Sequence, residues 1–471
     1  MIVDFGTIAA VATAPGEAGI AVIRISGPEV TDIVRRIIRT GRTGPPLELD
    51  AGNSHQLFYG RALDPVTDAV LDEVMVAWMA APRSFTTEDT AEISCHGGSV
   101  AVQSVLRAVL AAGARPANPG EFTMRAFLKG RIALTEAEAV LNVVAAQTSE
   151  GLERALDDLR GDLTRRLEPA RAAVISALAY LDASADFPDD EIPVSNVHAD
   201  LSHAISALET VLAGAKSGRL LSEGATVALV GRPNVGKSSL LNALLRSDRA
   251  IVTPIAGTTR DIVSERAVID GIAVTLLDTA GIAISEDLIE RAGIERSRQA
   301  IERSAAIVLV LDGSVAPVDA DRAIASDLAA RFRTGALGDV PIVLAVNKSD
   351  LGPPADQSAV MALLPEGIAA VPVSAQTGAG LGDLESAIST SLRGDLANTV
   401  QPSMLSARQH AELDRALLHL REAFEALEVG FPTDVLATDV RVAARALANV
   451  TGEDIDEALL VEIFSRFCIG K

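Results

Sequence analysis

Cysteine is nearly absent from this chain: 471 residues contain two, Cys95 and Cys468. Two cysteines argue against a disulfide framework and against a zinc site built from thiolates. Aromatic residues are scarce as well, at 3%, with one tryptophan and two tyrosines. Any core must therefore be packed from Ala, Val, Leu and Ile. No uninterrupted apolar run reaches the roughly 18 residues of a membrane helix, so no membrane partner is expected. No basic stretch followed by a long apolar run opens the chain, so a signal peptide is not expected and a cytoplasmic location is. Positive charge is also short: 41 Lys and Arg face 63 Asp and Glu, for a formal charge of −22. That balance disfavours non-specific binding to nucleic acid by the chain as a whole, although it leaves room for a local basic patch. The deficit is uneven. Residues 1–130 hold 11 Lys and Arg against 14 Asp and Glu, a local −3. The N-terminal part is thus the surface least repulsive to an anionic partner.

What is present is ample apolar material, 48% of the residues, and a length that suggests two to four domains. Residues 1–125 alternate short β-like runs with turns, as in Ile20 to Ser26 and Asp72 to Met79. Residues 126–218 turn helical, beginning near Glu136 and continuing from Leu201 to Leu212 with apolar residues at helical spacing. A loop with two prolines and a dense acidic run, Asp186-Phe-Pro-Asp-Asp-Glu-Ile-Pro193, interrupts them. Residues 219–393 have the character of a nucleotide domain. Residues 394–471 are helical again, from Leu405 through Leu427 and from Val435 to Phe467. Two helical blocks flanking such a cassette suggest one helical domain with the cassette inserted.

The cassette opens on Gly231-Arg-Pro-Asn-Val-Gly-Lys237-Ser238, a phosphate-binding loop of the form G-x-x-x-x-G-K-S. The apolar, β-branched run Ala225 to Val230 precedes it, and the helix-favouring run Ser239 to Leu245 follows. Strand, glycine loop, helix is the context that such a loop requires; a lone match could be a chance glycine turn. Backbone N–H groups from Asn234, Val235 and Gly236 through Ser239 can close around phosphates at a helix N-terminus. Lys237 is expected to reach the β- and γ-phosphates, and the Ser238 hydroxyl to hold Mg²⁺.

Three further elements follow in order. Thr275-Leu-Leu-Asp278-Thr279-Ala280-Gly281 is a strand ending in an acid that can bind Mg²⁺ through water, with the Gly281 amide towards the γ-phosphate. Ile342 to Asn347 leads into Asn347-Lys348-Ser-Asp350. The Asp350 carboxylate can accept from the guanine N1–H and exocyclic amine, and adenine has no N1–H to offer. Losing such a pairing discriminates far better than pocket shape does. Lys348 can lay its stem over the base. Val371-Pro-Val-Ser374-Ala375 ends another strand, and the Ala375 amide can bond the guanine carbonyl. Together these elements point to GTP as ligand. The residue after Asp-Thr-Ala-Gly is Ile282, where Ras-like enzymes carry a water-orienting glutamine. Glu286, Asp287 and Glu290 are acidic candidates for that task, and nothing in the residues themselves ranks them above solvated surface charge.

At this point the chain resembles the bacterial MnmE (TrmE) family of tRNA modification GTPases, from Thr7 to Lys471. The residues that carry the resemblance are Ala14-Pro-Gly-Glu-Ala-Gly-Ile-Ala-Val-Ile-Arg24-Ile-Ser-Gly, Phe85 to Gly98, Pro119 to Phe127, Asp186 to Glu191, Ile255-Ala-Gly-Thr-Thr-Arg-Asp261 and the terminal Phe467-Cys468-Ile-Gly-Lys471. The resemblance implies a multidomain α/β and α protein, with a P-loop G domain inserted in a helical domain and an N-terminal α+β folate-binding domain. It implies a homodimer formed through the N-terminal domains. With the flavoprotein MnmG, such proteins add a carboxymethylaminomethyl or aminomethyl group to C5 of the wobble uridine of certain tRNAs. The one-carbon unit comes from a tetrahydrofolate derivative, in the 5-formyl or 5,10-methylene form, while FAD and NADH belong to the partner.

By position, the resemblance implies K⁺ coordination by Asn234, Thr253, Ile255 and Thr258, with Thr253 also at the nucleotide. It implies Thr259 as the second Mg²⁺ ligand and Glu290 as the catalytic glutamate. A K⁺ near the phosphates would act where an arginine finger's charge otherwise acts, and could serve a GTPase that lacks the glutamine. Arg24, Glu92, Arg131 and Lys471 match folate-contacting positions. A carboxylate such as Glu92 can grip a pterin's donor edge, and cationic side chains suit the glutamate tail. Cys468, inside the terminal motif, is either a catalytic thiol or a small buried structural residue. His96, beside two glycines, reads as a turn or packing residue rather than a base. Two function classes meet these residues: a GTPase within a tRNA-modifying enzyme, and a GTPase switch for ribosome or complex assembly. The folate-type residues and the F-C-I-G-K ending favour the first.

Overall fold

The computed structural model describes residues 6–186, 196–247, 264–278, 304–334, 340–353, 355–394 and 401–470. By packing, these fall into two units: residues 1–141 with 445–471, and residues 142–444. The architecture is mixed α/β and α, with a P-loop G domain inside helical sequence and an α+β N-terminal part.

The first unit is built on a seven-stranded sheet. Its strands are β1 (Ile8–Val11), β2 (Ile20–Ser26), β3 (Ile38–Thr40), β4 (Leu57–Leu63), β5 (Val70–Met79), β6 (Thr90–His96) and β7 (Arg115–Pro116), in the spatial order β3-β4-β5-β6-β2-β1-β7. All neighbours are antiparallel except β1 and β7. Burial alternates along β2 and β5, the pattern of a sheet with one face on the core. That core holds Ile23, Ile25, Ile93 and Trp78 from the strands, together with Ile33 and Ile37 from helix Val30–Ile37 and Val105 and Val109 from helix Ser99–Ala111. The chain's one tryptophan is buried and donates its ring N–H to the Asp50 carbonyl at 2.8 Å. A second apolar cluster joins Leu134 and Ala137 to Leu460, Phe464 and Phe467 near the C-terminus.

The second unit combines long helices with a six-stranded sheet. Helices Asp162–Asp186, Val197–Ala213 and Ala407–Val429 bury residues at helical spacing, such as Leu201, Ala204, Leu208 and Val211. That apolar stripe is what binds a helix to its neighbours. The sheet contains β8 (Ala225–Val230), β9 (Ser264–Ile269), β10 (Ile272–Asp278), β11 (Ala306–Asp312), β12 (Ile342–Asn347) and β13 (Ala370–Pro372), ordered β13-β12-β11-β8-β10-β9. Every pairing is parallel except that of β9 with β10. Strands β11 and β12 are buried along their whole length, which is why they read as unbroken apolar runs. The C-terminal ends of β8, β10, β11 and β12 lie side by side, the usual place for a ligand in an open parallel sheet.

Candidate functional site

Strand β8 runs into the phosphate loop, and helix Lys237–Ser247 leaves it. Two loop residues take left-handed backbone: Gly236 at φ +96° and Asn234 at φ +66°. Gly236 also admits a close approach, because a Cβ there would stand 2.3 Å from Asn347 Nδ2. Lys237 is buried and its ammonium donates to the carbonyls of Gly231 at 2.6 Å and Arg232 at 2.9 Å. Burial pulls its pKa down, against the opposing pull of Asp278. Ser238 Oγ, in the first turn of that helix, donates to Asp278 Oδ2 at 2.6 Å, and Asp278 ends β10 in register with Leu229 of β8. A hydroxyl and a carboxylate side by side form an oxygen donor set that suits Mg²⁺.

The base side is assembled from β12 and the turn after β13. Asn347 is buried and works as a strut: its Nδ2 donates to the Val235 carbonyl at 2.9 Å, and its Oδ1 accepts from the Ala375 amide at 3.0 Å. It thus ties the phosphate loop to the loop after β13. Lys348 adopts φ +68° and leads into the turn Ser349–Leu351. Asp350 is exposed, and its Oδ1 accepts from the buried Ser374 hydroxyl at 2.5 Å. The structure therefore brings together Val235, Lys237, Ser238, Asp278, Asn347, Lys348, Asp350, Ser374 and Ala375. Asn234 and Ser239 sit exposed on the same loop and helix start. Thr253, Ile255, Thr258, Thr259, Thr279, Ala280, Gly281, Ile282, Glu286, Asp287 and Glu290 lie outside the described residues.

A second constellation lies in the first unit. Arg24 on β2 faces Glu92 on β6 in register. Arg24 Nε and Nη2 converge on Glu92 Oε1 at 2.9 and 2.8 Å. Arg24 Nη1 donates to the Gly470 carbonyl at 3.2 Å, and its guanidinium lies 5.7 Å from the centre of the Phe122 ring. Glu92 Oε2 accepts no hydrogen bond among the described residues, so one carboxylate oxygen remains for a ligand donor. The C-terminal tail of the same chain thus reaches the Arg24–Glu92 pair. Gly470 fits there because a Cβ would stand 2.4 Å from the Val11 carbonyl. Lys471 itself lies outside the described residues. Arg131 is exposed, donates to the Ser84 carbonyl and lies 5.7 Å from the Phe85 ring centre. The Cys468 side chain is exposed, so of its two readings the buried one is corrected. It is the Cys468 carbonyl that is engaged, by the Gly120 amide at 3.5 Å. His96 is exposed and its Nδ1 lies 2.6 Å from Asp72 Oδ1, a hydrogen bond that raises its pKa.

Sequence reasoning passed over two groups. The Arg125 side chain is fully buried and pairs with Glu88 at 2.9 Å and Glu121 at 2.8 Å. Glu88 also takes Lys129 at 3.0 Å and the Ser26 hydroxyl at 3.0 Å, while Arg115 clamps both oxygens of Glu121. Burial raises the Glu121 pKa, but hydrogen bonds from Arg115, the Asn118 amide and Arg125 outweigh it and hold the carboxyl below its ordinary value. Several of these residues stood in the quoted motifs with no role attached. The other group is Asp312 at the end of β11, which accepts from Lys348 Nζ at 2.7 Å. An apolar strand ending in an acid was the available signal, as it was for Asp278.

Comparison with known proteins adds the family. The model of the MnmE helical domain matches residues 134–468, and that of the GTP-binding protein TrmE N-terminus matches residues 7–131. The tRNA modification GTPase MnmE of Chloroflexus aurantiacus is 47% identical over 470 residues, with 99% of each chain covered. That of Roseiflexus castenholzii is 46% identical over 478 residues, and that of Enterococcus faecalis 38% over 474, each with 99% of both chains covered. Identity of this extent, spread over both units and joined to a phosphate loop and an Asn-Lys-x-Asp run at the ends of parallel strands, means that the chain belongs to the MnmE (TrmE) family of tRNA modification GTPases.

Proposed function

We propose that this GTP hydrolase of tRNA modification acts with the flavoprotein MnmG to add a carboxymethylaminomethyl or aminomethyl group to C5 of a wobble uridine. The one-carbon unit is drawn from a tetrahydrofolate derivative bound near Arg24, Glu92, Arg131 and Lys471, and hydrolysis of GTP is activated by K⁺. The chain works as a cytoplasmic homodimer, and FAD and NADH serve on the partner. The observation that carries this reading is the meeting of Arg24, Glu92 and the Gly470 carbonyl. A pterin edge carries N–H donors and the folate tail carries carboxylates; Glu92 Oε2 can accept from the first, and the exposed Arg131, which also donates to the Ser84 carbonyl, offers charge to the second. Arg24 serves chiefly to aim Glu92 and to seat the tail. Reconstitution tests the proposal: the chain, MnmG, undermodified tRNA, GTP, Mg²⁺, K⁺, FAD, NADH, methylenetetrahydrofolate and a nitrogen donor (glycine for the carboxymethylaminomethyl group, ammonium for the aminomethyl group) are combined, and the wobble nucleoside is weighed by mass spectrometry. A C5-substituted uridine is expected, and an unchanged uridine in the complete mixture defeats the reading.

In the nucleotide site, Lys237 and the loop amides bind the phosphates. Ser238 and Thr259 would hold Mg²⁺, with Asp278 steering the Ser238 hydroxyl. Bound Mg²⁺ and K⁺ would supply positive charge where the phosphate oxygens gain negative charge. Asn234, Thr253, Ile255 and Thr258 would hold the K⁺. Glu290 takes the water-orienting task that Ile282 cannot perform. GTP turnover in K⁺ is expected to exceed that in Na⁺ by at least about tenfold at matched ionic strength. Equal rates in the two salts rule the K⁺ role out. Glu290→Ala is expected to lower kcat roughly 100-fold with little change in KM, since orienting water acts mainly in the transition state. Unchanged turnover returns Glu290 to ordinary surface charge.

A further inference from the structure

We infer that Asp312 is a positioning residue for guanine-nucleotide binding, holding Lys348 so that its alkyl stem is already fixed where the purine docks. Asp312 closes β11, whose seven residues are all buried. A carboxylate there must be well partnered, because removing a charge from water is costly. Its two oxygens are divided between tasks. Oδ1 accepts from the Ser314 amide at 3.1 Å and the Ser314 hydroxyl at 2.6 Å. Oδ2 accepts from Lys348 Nζ at 2.7 Å. The first pair sets the plane of the carboxylate, and the second oxygen is thereby aimed at the lysine. Burial raises the pKa of Asp312, yet its bonds to Lys348 and Ser314 outweigh that and keep it below the usual carboxylate range.

The backbone holds both ends of this link. Asp312 pairs in register with Asn347, and the Gly313 amide donates to the Asn347 carbonyl at 2.6 Å. A Cβ at position 313 would stand 2.8 Å from that carbonyl, so the two strand ends close on each other. Lys348 then turns through φ +68° into the segment that carries Asp350. The other cation near Asp312 is Arg232, 3.8 Å from Oδ2 and itself committed to Asp321 at 3.1 Å. A free lysine side chain samples many rotamers, and ordering it when a ligand arrives weakens binding. Asp312 orders it beforehand. A simple tie between β11 and β12 would act independently of the Lys348 side chain, so its loss would add to the loss of that side chain.

The inference rests on the guanine-site reading of Lys348 and Asp350. The test uses the full chain and fluorescent GDP and GTP. Asp312→Ala is expected to speed dissociation of both nucleotides by about the same factor, roughly tenfold, and to raise KM while kcat at saturating GTP stays put. On a Lys348→Ala background, where the stem is gone, Asp312→Ala should add nothing, because the two act as one unit. If Asp312→Ala fails to fold, Asp312→Asn carries the test: its amide oxygen can still accept from Ser314 while the charge opposite Lys348 is lost. Unchanged dissociation, fully additive effects with Lys348→Ala, or a fall in kcat without a rise in KM overturns the positioning role. A silent Asp312→Ala beside an Asp350→Asn variant that has changed its base preference defeats this inference alone and leaves the guanine site standing.

Discussion

Replacing Asp350 by asparagine is expected to convert the chain from a guanine to a xanthine nucleotide binder. The Asp350 carboxylate offers only acceptors, which suits the N1–H and amine of guanine. Ser374 Oγ already donates to Asp350 Oδ1 at 2.5 Å. In the variant, that hydroxyl keeps the amide oxygen on its own side and turns the NH₂ towards the base. The amine of guanine then meets a donor, whereas the carbonyl at the same position of xanthine meets a partner. Hydrogen bonds to a charged group contribute about 1.5–3 kcal/mol each, so losing two weakens GTP binding by roughly 10³-fold. Affinities for GTP, ATP and xanthosine triphosphate, measured on parent and variant, check this. Equal affinity of the parent for ATP and GTP contradicts it.

Much of this site could be read before any fold was known, and the reason is physical. A buried parallel strand must be apolar throughout, so Ala225–Val230 and Ile342–Asn347 stand out as runs, and the polar residues that end them are conspicuous. Asp278 and Asn347 are found this way, and the G-x-x-x-x-G-K-S and Asn-Lys-x-Asp spacings that follow such strands mark Lys237 and Asp350. The expected positions of Ser374 and Ala375 follow from the strand that ends at Pro372. Asp312 ends a run of the same kind, Ala306–Asp312, but no motif spacing marks it, and its bond to Lys348 is made only by tertiary packing. The Arg125 network could not be read. Glu88, Glu121 and Arg125 come from separate segments and share no period, so only tertiary packing brings them together. Register decides the Arg24–Glu92 pair in the same way: a shift of one residue between β2 and β6 would place the two on opposite faces. The family resemblance named both residues, but not that they hold each other or that the tail's last described carbonyl joins them.

Deleting Cys468 to Lys471 is expected to abolish wobble-uridine modification and leave GTP hydrolysis within about twofold of normal, since the tail carries no nucleotide motif. The deletion removes the Gly470 carbonyl from Arg24 and whatever Cys468 and Lys471 contribute to the reaction. It leaves Phe464 and Phe467, buried against Leu134 and Ala137, to hold the last helix. Arg24 keeps both of its bonds to Glu92. Retention of the fold is checked by the melting temperature of the truncated chain, and both activities are read on that same preparation. Normal modification would falsify the assignment of the tail to the active site. Loss of hydrolysis together with modification would contradict the independence of the two sites.

The central proposal is that this chain takes part in modifying the wobble uridine and that the Arg24–Glu92 constellation holds the folate that supplies the carbon. The most direct measurement is nucleoside analysis of tRNA from a strain that lacks the protein and is then supplied with the full chain or with Glu92→Gln. The account predicts that C5-substituted wobble uridine is missing in the deletion strain, returns with the full chain, and stays at background with Glu92→Gln while that variant's GTP turnover matches the parent. Full restoration by Glu92→Gln, or an unaltered nucleoside profile in the deletion strain, would contradict it.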